Sequence, residues 1–136
     1  MPYIHHPDDL FSIPDMQASY IAEYPAYHPE AAIIEHLHPL LLNKKITIIL
    51  GTWCSDCQRE LPRFLKVIDH AGFPYDQLTI ISVDQEKSPG EEMKEVPNFT
   101  RIPVFILTNT DGSELGRITE IPEISLEHDL LALLKK

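Results

Sequence analysis

The chain has 136 residues, of which 43% are apolar, and its formal net charge is −10. This length predicts one domain with one core, and the apolar content excludes a disordered chain. A surface this acidic repels phosphate backbones and anionic lipids, so neither nucleic acid nor a membrane is an expected partner. Because no apolar run is long enough to cross a membrane and the start shows no signal peptide, we expect a cytoplasmic protein.

Residues 1–44 are rich in proline, histidine and tyrosine, and their pattern predicts two short helices. One covers residues 15–24. The other has Pro29 in its first turn, where a missing N–H costs nothing, and Pro39 should kink or end it. No convincing strand precedes residue 45. We therefore predict a helical N-terminal extension packed on the core of a domain that spans residues 45–136.

The middle of the chain predicts a strand, a helix and a second strand. The run ITIIL at 46–50 is largely β-branched, as expected of a strand buried on both faces. After the two cysteines, apolar residues at helical spacing predict a helix that ends near Gly72, a suitable C-terminal capping residue. LTIISV at 78–83 predicts the second buried strand. These two strands should be parallel and joined by a right-handed crossover helix.

A hairpin and a final helix complete the predicted fold. Segments 103–108 and 114–119 have strand composition and flank an Asp-Gly pair, which favours a turn between antiparallel strands. Residues 88–99 predict a loop with at most a short helix. Ser125 is placed to cap a last helix. The predicted fold class is therefore α/β, with a mixed β-sheet flanked by helices on both faces.

The segment GTWCSDCQRELP at 51–62 holds both cysteines of the chain. Two thiols separated by two residues can form half of a zinc site, a structural crosslink or a reversible redox couple. A zinc site normally needs four ligands, and His36 and His38, two positions apart on a helix, point to different sides. A crosslink across two residues removes little entropy from the unfolded chain and would be reduced in the cytosol. We therefore expect neither a metal site nor a structural crosslink.

A redox couple fits the position of the pair. Cys54 follows a buried strand and precedes a helix, so it should lie at a helix N-terminus, where free N–H groups and the helix dipole stabilise a thiolate. Cys57 is one turn later on the same helix, within reach of Cys54 for disulfide closure. A CxxC pair beside a strand–helix–strand pattern is an established signal of redox chemistry.

The chain contains WCSDC at 53–57, Pro62 five residues after the second cysteine, SVD at 82–84, and RIPVFIL at 101–107 followed by the hairpin. Together these segments resemble the thioredoxin superfamily. The resemblance extends over about residues 45–134. It implies a thioredoxin-like fold and thiol–disulfide exchange, and it leaves the substrate open.

The resemblance also implies roles for individual residues. Cys54 would attack a substrate disulfide, and Cys57 would be the buried thiol that resolves the mixed disulfide. Pro103, after Ile102, would occupy the cis-proline position that faces the disulfide, where the neighbouring backbone pairs with a bound peptide. Trp53 would pack beside the active site. Trp53, Ile102 and Pro103 are thus the expected substrate-binding residues.

Two positions depart from the family pattern. Many thioredoxins have a buried acid six residues before the first cysteine, and this chain has Ile48 there. The pair between the cysteines is Ser55–Asp56, whereas the familiar thioredoxin pair is Gly-Pro. A carboxylate at Asp56 should disfavour a nearby thiolate, and Arg59 could offset it. Since a less stable thiolate goes with a more reducing couple, we expect Ser55, Asp56 and Arg59 to tune the pair towards reduction.

The proton of the second cysteine has no obvious acceptor. Resolution of a mixed disulfide requires Cys57 to lose its proton inside the fold. With Ile48 at the usual acid position, that proton would pass to water, to Asp56 or to Glu60. Both acids have the pattern of solvated residues on a helix surface.

These features predict a thiol–disulfide oxidoreductase that reduces protein disulfides through Cys54 and Cys57, with no bound cofactor. Its partners would be a disulfide-containing protein substrate and an electron-donating reductase or small thiol. Three alternatives stay open. They are a reductase of peroxides or other small oxidants, a non-catalytic binding module with the same fold, and a metal-delivery protein that uses both thiolates.

Overall fold

Five strands form one mixed sheet in the computed structural model, which describes residues 4–83 and 98–135. They are β1 Ile4–His5, β2 Lys44–Leu50, β3 Leu78–Ser82, β4 Val104–Asn109 and β5 Glu114–Thr119. Their order across the sheet is β1-β3-β2-β4-β5. The pair β2–β3 is parallel, and the other neighbours are antiparallel. The predicted α/β fold with a mixed sheet is therefore confirmed.

Five α-helices accompany the sheet in the described part of the chain. They are α1 Pro7–Leu10, α2 Pro14–Ala26, α3 Ala31–Leu40, α4 Ser55–His70 and α5 Leu126–Leu134. A short 3₁₀ helix, Tyr75–Gln77, leads into β3. None of the helices in these residues has the length and apolar character that a membrane span requires.

Helix α4 rests on the sheet through its apolar side. The ring of Phe64 stacks on that of Phe105 in β4, with centroids 4.2 Å apart. Gly72, just after the helix, has a φ of +76°, a left-handed conformation that glycine adopts without strain, so the predicted glycine stop is confirmed. Ile48 and Ile49 of β2 point to opposite faces of the sheet and are both fully buried. Both faces are therefore covered at the centre of the sheet.

The N-terminal residues hold a strand that the sequence did not reveal. β1 pairs antiparallel with β3, with Ile4 opposite Ile81, so the expectation of no strand before residue 45 is wrong. The physical reason is its length, because two residues are too few to show the alternation by which a strand is recognised. The four-residue helix α1 was also not predicted.

The two predicted N-terminal helices are present with adjusted ends. Helix α2 extends the predicted segment 15–24 by one residue before it and two after it. Helix α3 has Glu30 as its N-cap, so Pro29 precedes the helix and is not in its first turn. Pro39 falls in the last turn, and the helix ends one residue later, as expected for a proline that cannot continue it.

Hydrogen bonds tie residues 1–44 to the rest of the molecule. The Tyr24 hydroxyl donates to Oδ2 of Asp69 in α4 over 2.7 Å. The Tyr27 hydroxyl donates to the carboxylate of Glu127 in α5. Helix α2 packs against α4, and α3 packs against α5. The division of the chain into an extension and a domain at residue 45 stays a prediction.

The C-terminal elements match the sequence pattern. The β4–β5 turn contains Gly112 with a φ of +92°, as an Asp-Gly turn predicts. Ser125 caps α5, and its Oγ accepts the N–H of His128 over 3.1 Å. Most of the loop predicted at 88–99, and Asp84 at the end of SVD, lie outside the described residues.

Candidate active site

Cys54 is the N-cap residue of α4, at the end of the loop that follows β2. Its backbone is extended, with φ −86° and ψ 123°, and its Sγ accepts the N–H of Cys57 with N and S 3.4 Å apart. The thiol thus takes the capping role that a serine or aspartate oxygen usually has. Cys54 is partly exposed and is a free thiol. Its predicted place at a helix N-terminus is confirmed.

Cys57 is a fully buried free thiol in the first turn of α4. Burial raises the pKa of the Cys57 thiol well above its usual range. The Gly51 N–H, 3.5 Å from Sγ, lowers that pKa, whereas Cys54 and Asp56 add to the rise. The pair therefore combines a thiol that a partner can reach with a second thiol that is shielded and holds its proton.

Trp53 packs beside the loop that carries the cysteines. Its indole covers Gly51 so closely that a Cβ on that glycine would lie 2.5 Å from Cε2 of the indole. The indole N–H donates to the carbonyl of Val83, beyond the end of β3, over 3.1 Å. The side chain is still partly exposed. This is the packing that the resemblance implies, while a part for Trp53 in substrate binding stays a prediction.

Arg59 joins two carboxylates on α4. Its Nη2 lies 3.0 Å from Oδ1 of Asp56, and its Nε lies 2.7 Å from Oε2 of Glu60. The hydrogen bond to Glu60 is the main cause that raises the pKa of Arg59; burial opposes it, and the bond to Asp56 adds to it. The cation expected to offset Asp56 is thus in direct contact with it. Ser55, the first residue of the helix, is exposed.

Glu60 is not the solvated surface acid that the sequence predicts, because its side chain is only 3% exposed. Besides Arg59 it faces Arg63, whose Nη1 lies 3.8 Å from Oε2 of Glu60. Arg63 also contacts Glu23 of α2, with Nη2 and Oε1 2.8 Å apart. The physical reason for the burial is that α2 packs on α4 and covers a position that the helix pattern alone assigns to water. Asp56 is 41% exposed, as expected.

The Ile102–Pro103 peptide bond is cis, as the resemblance implies. Ile49 of β2 pairs with Val104 of β4, so the proline lies at the same end of the sheet as the loop that carries the cysteines. The Pro103 carbonyl accepts the N–H of Glu120 over 2.7 Å. Both Ile102 and Pro103 are buried. Their part in binding a peptide stays a prediction.

His38, one of the two histidines considered above as zinc ligands, has a structural partner at the end of α4 remote from the cysteines. Nδ1 of His38 lies 2.8 Å from the carbonyl oxygen of Ala71, a hydrogen bond that joins α3 to the end of α4. Across residues 4–83 and 98–135, no group of three or more His, Cys, Asp or Glu side chains could hold a metal ion. At the position where many thioredoxins have an acid, Ile48 is fully buried.

Two contributions to the site were missed in the sequence, the backbone N–H of Gly51 and the contact by which Glu60 holds Arg59. Gly51 supplies an N–H to the buried thiol and leaves room for the indole, and its place between a strand and the cysteines was the available signal. Glu60 anchors Arg59. Asp56 and Arg59, and likewise Glu60 and Arg63, have the three-residue spacing of helix ion pairs, which was a readable signal, whereas the contact between the adjacent Arg59 and Glu60 left none.

Comparisons with known proteins identify the family and the fold. A family model described as Thioredoxin matches residues 15–131. An HIV epitope scaffold superposes with a TM-score of 0.62 at 14% identity, over 96% of this chain and 98% of its own. A protein of unknown function from Pseudomonas aeruginosa gives 0.59 at 14% identity, over 96% of each chain. Mitochondrial thioredoxin 3 from Saccharomyces cerevisiae gives 0.40 at 22% identity, over 86% and 97%. No curated protein matches the sequence.

Proposed function

Since this chain belongs to the thioredoxin family, we propose that it is a thiol–disulfide oxidoreductase that reduces disulfides in protein substrates. One observation carries the proposal. A partly exposed thiol, Cys54, caps the helix whose first turn holds a fully buried thiol, Cys57, and both are free. The first thiol is accessible for attack on a partner, and the second is placed to attack the first.

The reaction follows from that order. The Cys54 thiolate attacks one sulfur of the substrate disulfide, so a Cys54–substrate bond forms while the substrate S–S bond breaks and its other sulfur leaves as a thiolate. Cys57 then loses its proton, and its thiolate attacks Sγ of Cys54. A Cys54–Cys57 disulfide forms, the second substrate sulfur leaves, and both substrate sulfurs take up protons. Two electrons have passed to the substrate, and a reductase or small thiol returns them.

The environment of the pair favours the reducing direction. Burial raises the pKa of the Cys57 thiol, and the carboxylate of Asp56 acts in the same sense. A thiol that keeps its proton gives the reduced form no stabilising thiolate, so the pair lacks the feature that makes a couple strongly oxidising, which supports a role as electron donor. A donor of this kind suits the cytosol, where thiols are kept reduced.

Substrate trapping tests the proposal. In Cys57→Ser, the Cys54–substrate disulfide should persist, since no second thiol resolves it. The variant should accumulate adducts with a disulfide-bonded test protein that dithiothreitol releases. The matched control Cys54→Ser, which keeps only the buried thiol, should form few or none. Equal adducts in the two variants, or none in either, would contradict the proposal.

Two further assays separate the alternatives. A protein that consumes hydrogen peroxide with a donor thiol faster than it reduces protein disulfides would be a small-oxidant reductase. A reduced protein that retains stoichiometric zinc or copper through gel filtration would be a metal carrier. If trapping, peroxide turnover and metal binding all fail, the chain is a binding module that has kept the fold.

A further inference from the structure

A series of alternating charges leads from the N-terminal helix α2 to the cysteine pair. It begins with Glu23 of α2, whose Oε1 lies 2.8 Å from Nη2 of Arg63 in α4. Nη1 of Arg63 lies 3.8 Å from Oε2 of Glu60. The same Oε2 lies 2.7 Å from Nε of Arg59, whose Nη2 reaches Asp56 at 3.0 Å. The series therefore ends on the carboxylate of Asp56, which lies between the two cysteines in the sequence.

Glu60 is the fixed member of this series. Its side chain is 3% exposed, whereas those of Arg59 and Asp56 are 35% and 41% exposed. An exposed arginine–carboxylate pair is weak, partly because the long side chain loses conformational freedom when it pairs. A buried carboxylate that already holds Nε of Arg59 removes much of that freedom beforehand. The planar guanidinium then presents Nη2 to Asp56, which the single ammonium of a lysine could not do from the same anchor.

We propose that Glu60 is a positioning residue for the redox pair, which holds Arg59 against Asp56 so that the Asp56 carboxylate is neutralised beside the thiols. This inference rests on the proposed function, because it assigns a role within the same site. The influence of Asp56 on the buried thiol, Cys57, has support of its own. After burial and the neighbouring Cys54, Asp56 is one of the groups that raise the pKa of Cys57.

If Glu60 acts by positioning Arg59, Glu60→Gln should change the reactivity of the thiolate in the direction opposite to that expected from loss of the Glu60 charge alone. Removing a nearby negative charge would, by direct electrostatics, stabilise a thiolate and speed its reaction with an alkylating agent. Releasing Arg59 leaves Asp56 unpaired, which disfavours the thiolate and slows the same reaction. The direction of change in Glu60→Gln therefore separates the two effects.

The experiment measures alkylation of Cys54 by iodoacetamide at pH 7 and the equilibrium constant of the pair with glutathione. Glu60→Gln should slow alkylation about threefold, within the range expected for a partly exposed ion pair. Any change in the equilibrium constant for disulfide formation should be an increase, because the thiolate belongs to the reduced form. In an Asp56→Asn background, Glu60→Gln should no longer slow alkylation, since the group on which Arg59 acts is no longer charged and only the direct effect of the lost Glu60 charge remains.

Two more variants serve as an independent test and as a matched control. Arg59→Lys retains the charge but cannot bridge both carboxylates, so it should slow alkylation as Glu60→Gln does, even if the latter folds poorly. Glu23→Gln makes the same chemical change at the far end of the series and should alter the rate much less. Faster alkylation in Glu60→Gln, or an equal change with and without Asp56, would overturn the inference. A native pair that never forms a disulfide would instead refute the proposed function, while the alkylation rates still judge Glu60.

Discussion

The backbone N–H of Gly51 points at the Sγ of Cys57, with nitrogen and sulfur 3.5 Å apart. Gly51 directly follows β2, so the sheet fixes the position of this donor. The N–H lowers the pKa of the Cys57 thiol, against the larger opposite effect of burial. Since Ile48 fills the position where many thioredoxins have an acid, loss of the Cys57 proton should be the slow step of the reaction.

The first prediction concerns the pH dependence of resolution. Because burial raises the pKa of Cys57, the thiolate fraction, and with it the rate of resolution, should rise about tenfold per pH unit between pH 6 and 8. Rapid mixing with a model disulfide would time the release of the first product against decay of the Cys54 adduct. Ile48→Asp should speed resolution and lower the free energy of unfolding by about 3 kcal/mol, since a buried carboxyl without partners is unfavourable. A resolution step that is fast and independent of pH would contradict this view.

The reduced protein should lose stability above about pH 9. In the unfolded chain the Cys57 thiol ionises near pH 9, whereas burial keeps it protonated in the folded state. Above that pH the unfolded state binds fewer protons, so the free energy of unfolding falls as pH rises, by up to about 1.4 kcal/mol per unit. Urea titrations at pH 8, 9 and 10 measure this slope.

Cys57→Ala is the control for the alkaline effect, because it removes the thiol and leaves the other titrating groups in place. The half-buried Tyr24, Tyr27 and Tyr75 act in the same direction, but tyrosine in the unfolded chain ionises near pH 10. Between pH 9 and 10 the variant should therefore lose stability less steeply than the native protein. Equal slopes would show that Cys57 is not the group responsible.

Gly51→Ala should disturb both the indole and the cysteine loop. The new methyl group would lie 2.5 Å from Cε2 of Trp53, so the indole must move away from the Val83 carbonyl. We expect a changed emission from Trp53, the single tryptophan, slower protein-disulfide reduction and a loss of about 1–3 kcal/mol in stability. Gly112→Ala is the control. At its φ of +92° alanine is strained, but the new methyl group would have no neighbour within 4 Å, so this variant should lose stability without disturbing Trp53. If Gly51→Ala retains native emission and activity, Trp53 does not support the site.

Tyr27→Phe tests how the N-terminal residues are held. The Tyr27 hydroxyl donates to the buried carboxylate of Glu127, which also accepts the Glu30 N–H over 2.8 Å. Loss of one partner should lower the free energy of unfolding by about 1–3 kcal/mol, as measured by urea titration. Tyr20→Phe removes a hydroxyl that makes no hydrogen bond among the described residues, and it should cost less. Equal losses in the two variants would mean that the Glu127 contact contributes little.

The parts of the site that the sequence predicted depend on local rules. Cys54 at the start of α4 follows from a buried strand, two cysteines and an amphipathic helix in succession. Gly72 after the helix and Ser125 before the last one are capping residues, whose function is set by neighbours within a few positions. Such features can be read from a single segment because the forces that create them act within one or two turns.

The parts that the sequence did not predict depend on contacts between distant segments. The pattern of α4 shows which side meets the sheet, but not that α2 covers another side, and so Glu60 was assigned to water. β1 is stabilised by pairing with β3, about 75 residues later in the chain, and has no pattern of its own. The Gly51 donor was missed because a backbone N–H leaves no mark on the sequence beyond the glycine itself.

Thiol counting in glutathione buffers tests the central claim most directly, since that claim is a reversible disulfide between Cys54 and Cys57 that serves reduction. The protein would be equilibrated at a series of glutathione ratios, quenched with acid, and its free thiols labelled and counted by mass. We predict that both thiols disappear together in one two-electron transition, more reducing than about −200 mV. Cys54→Ser and Cys57→Ser should show no such transition. Two thiols that oxidise independently, or a couple near the strongly oxidising value of about −120 mV, would contradict the claim.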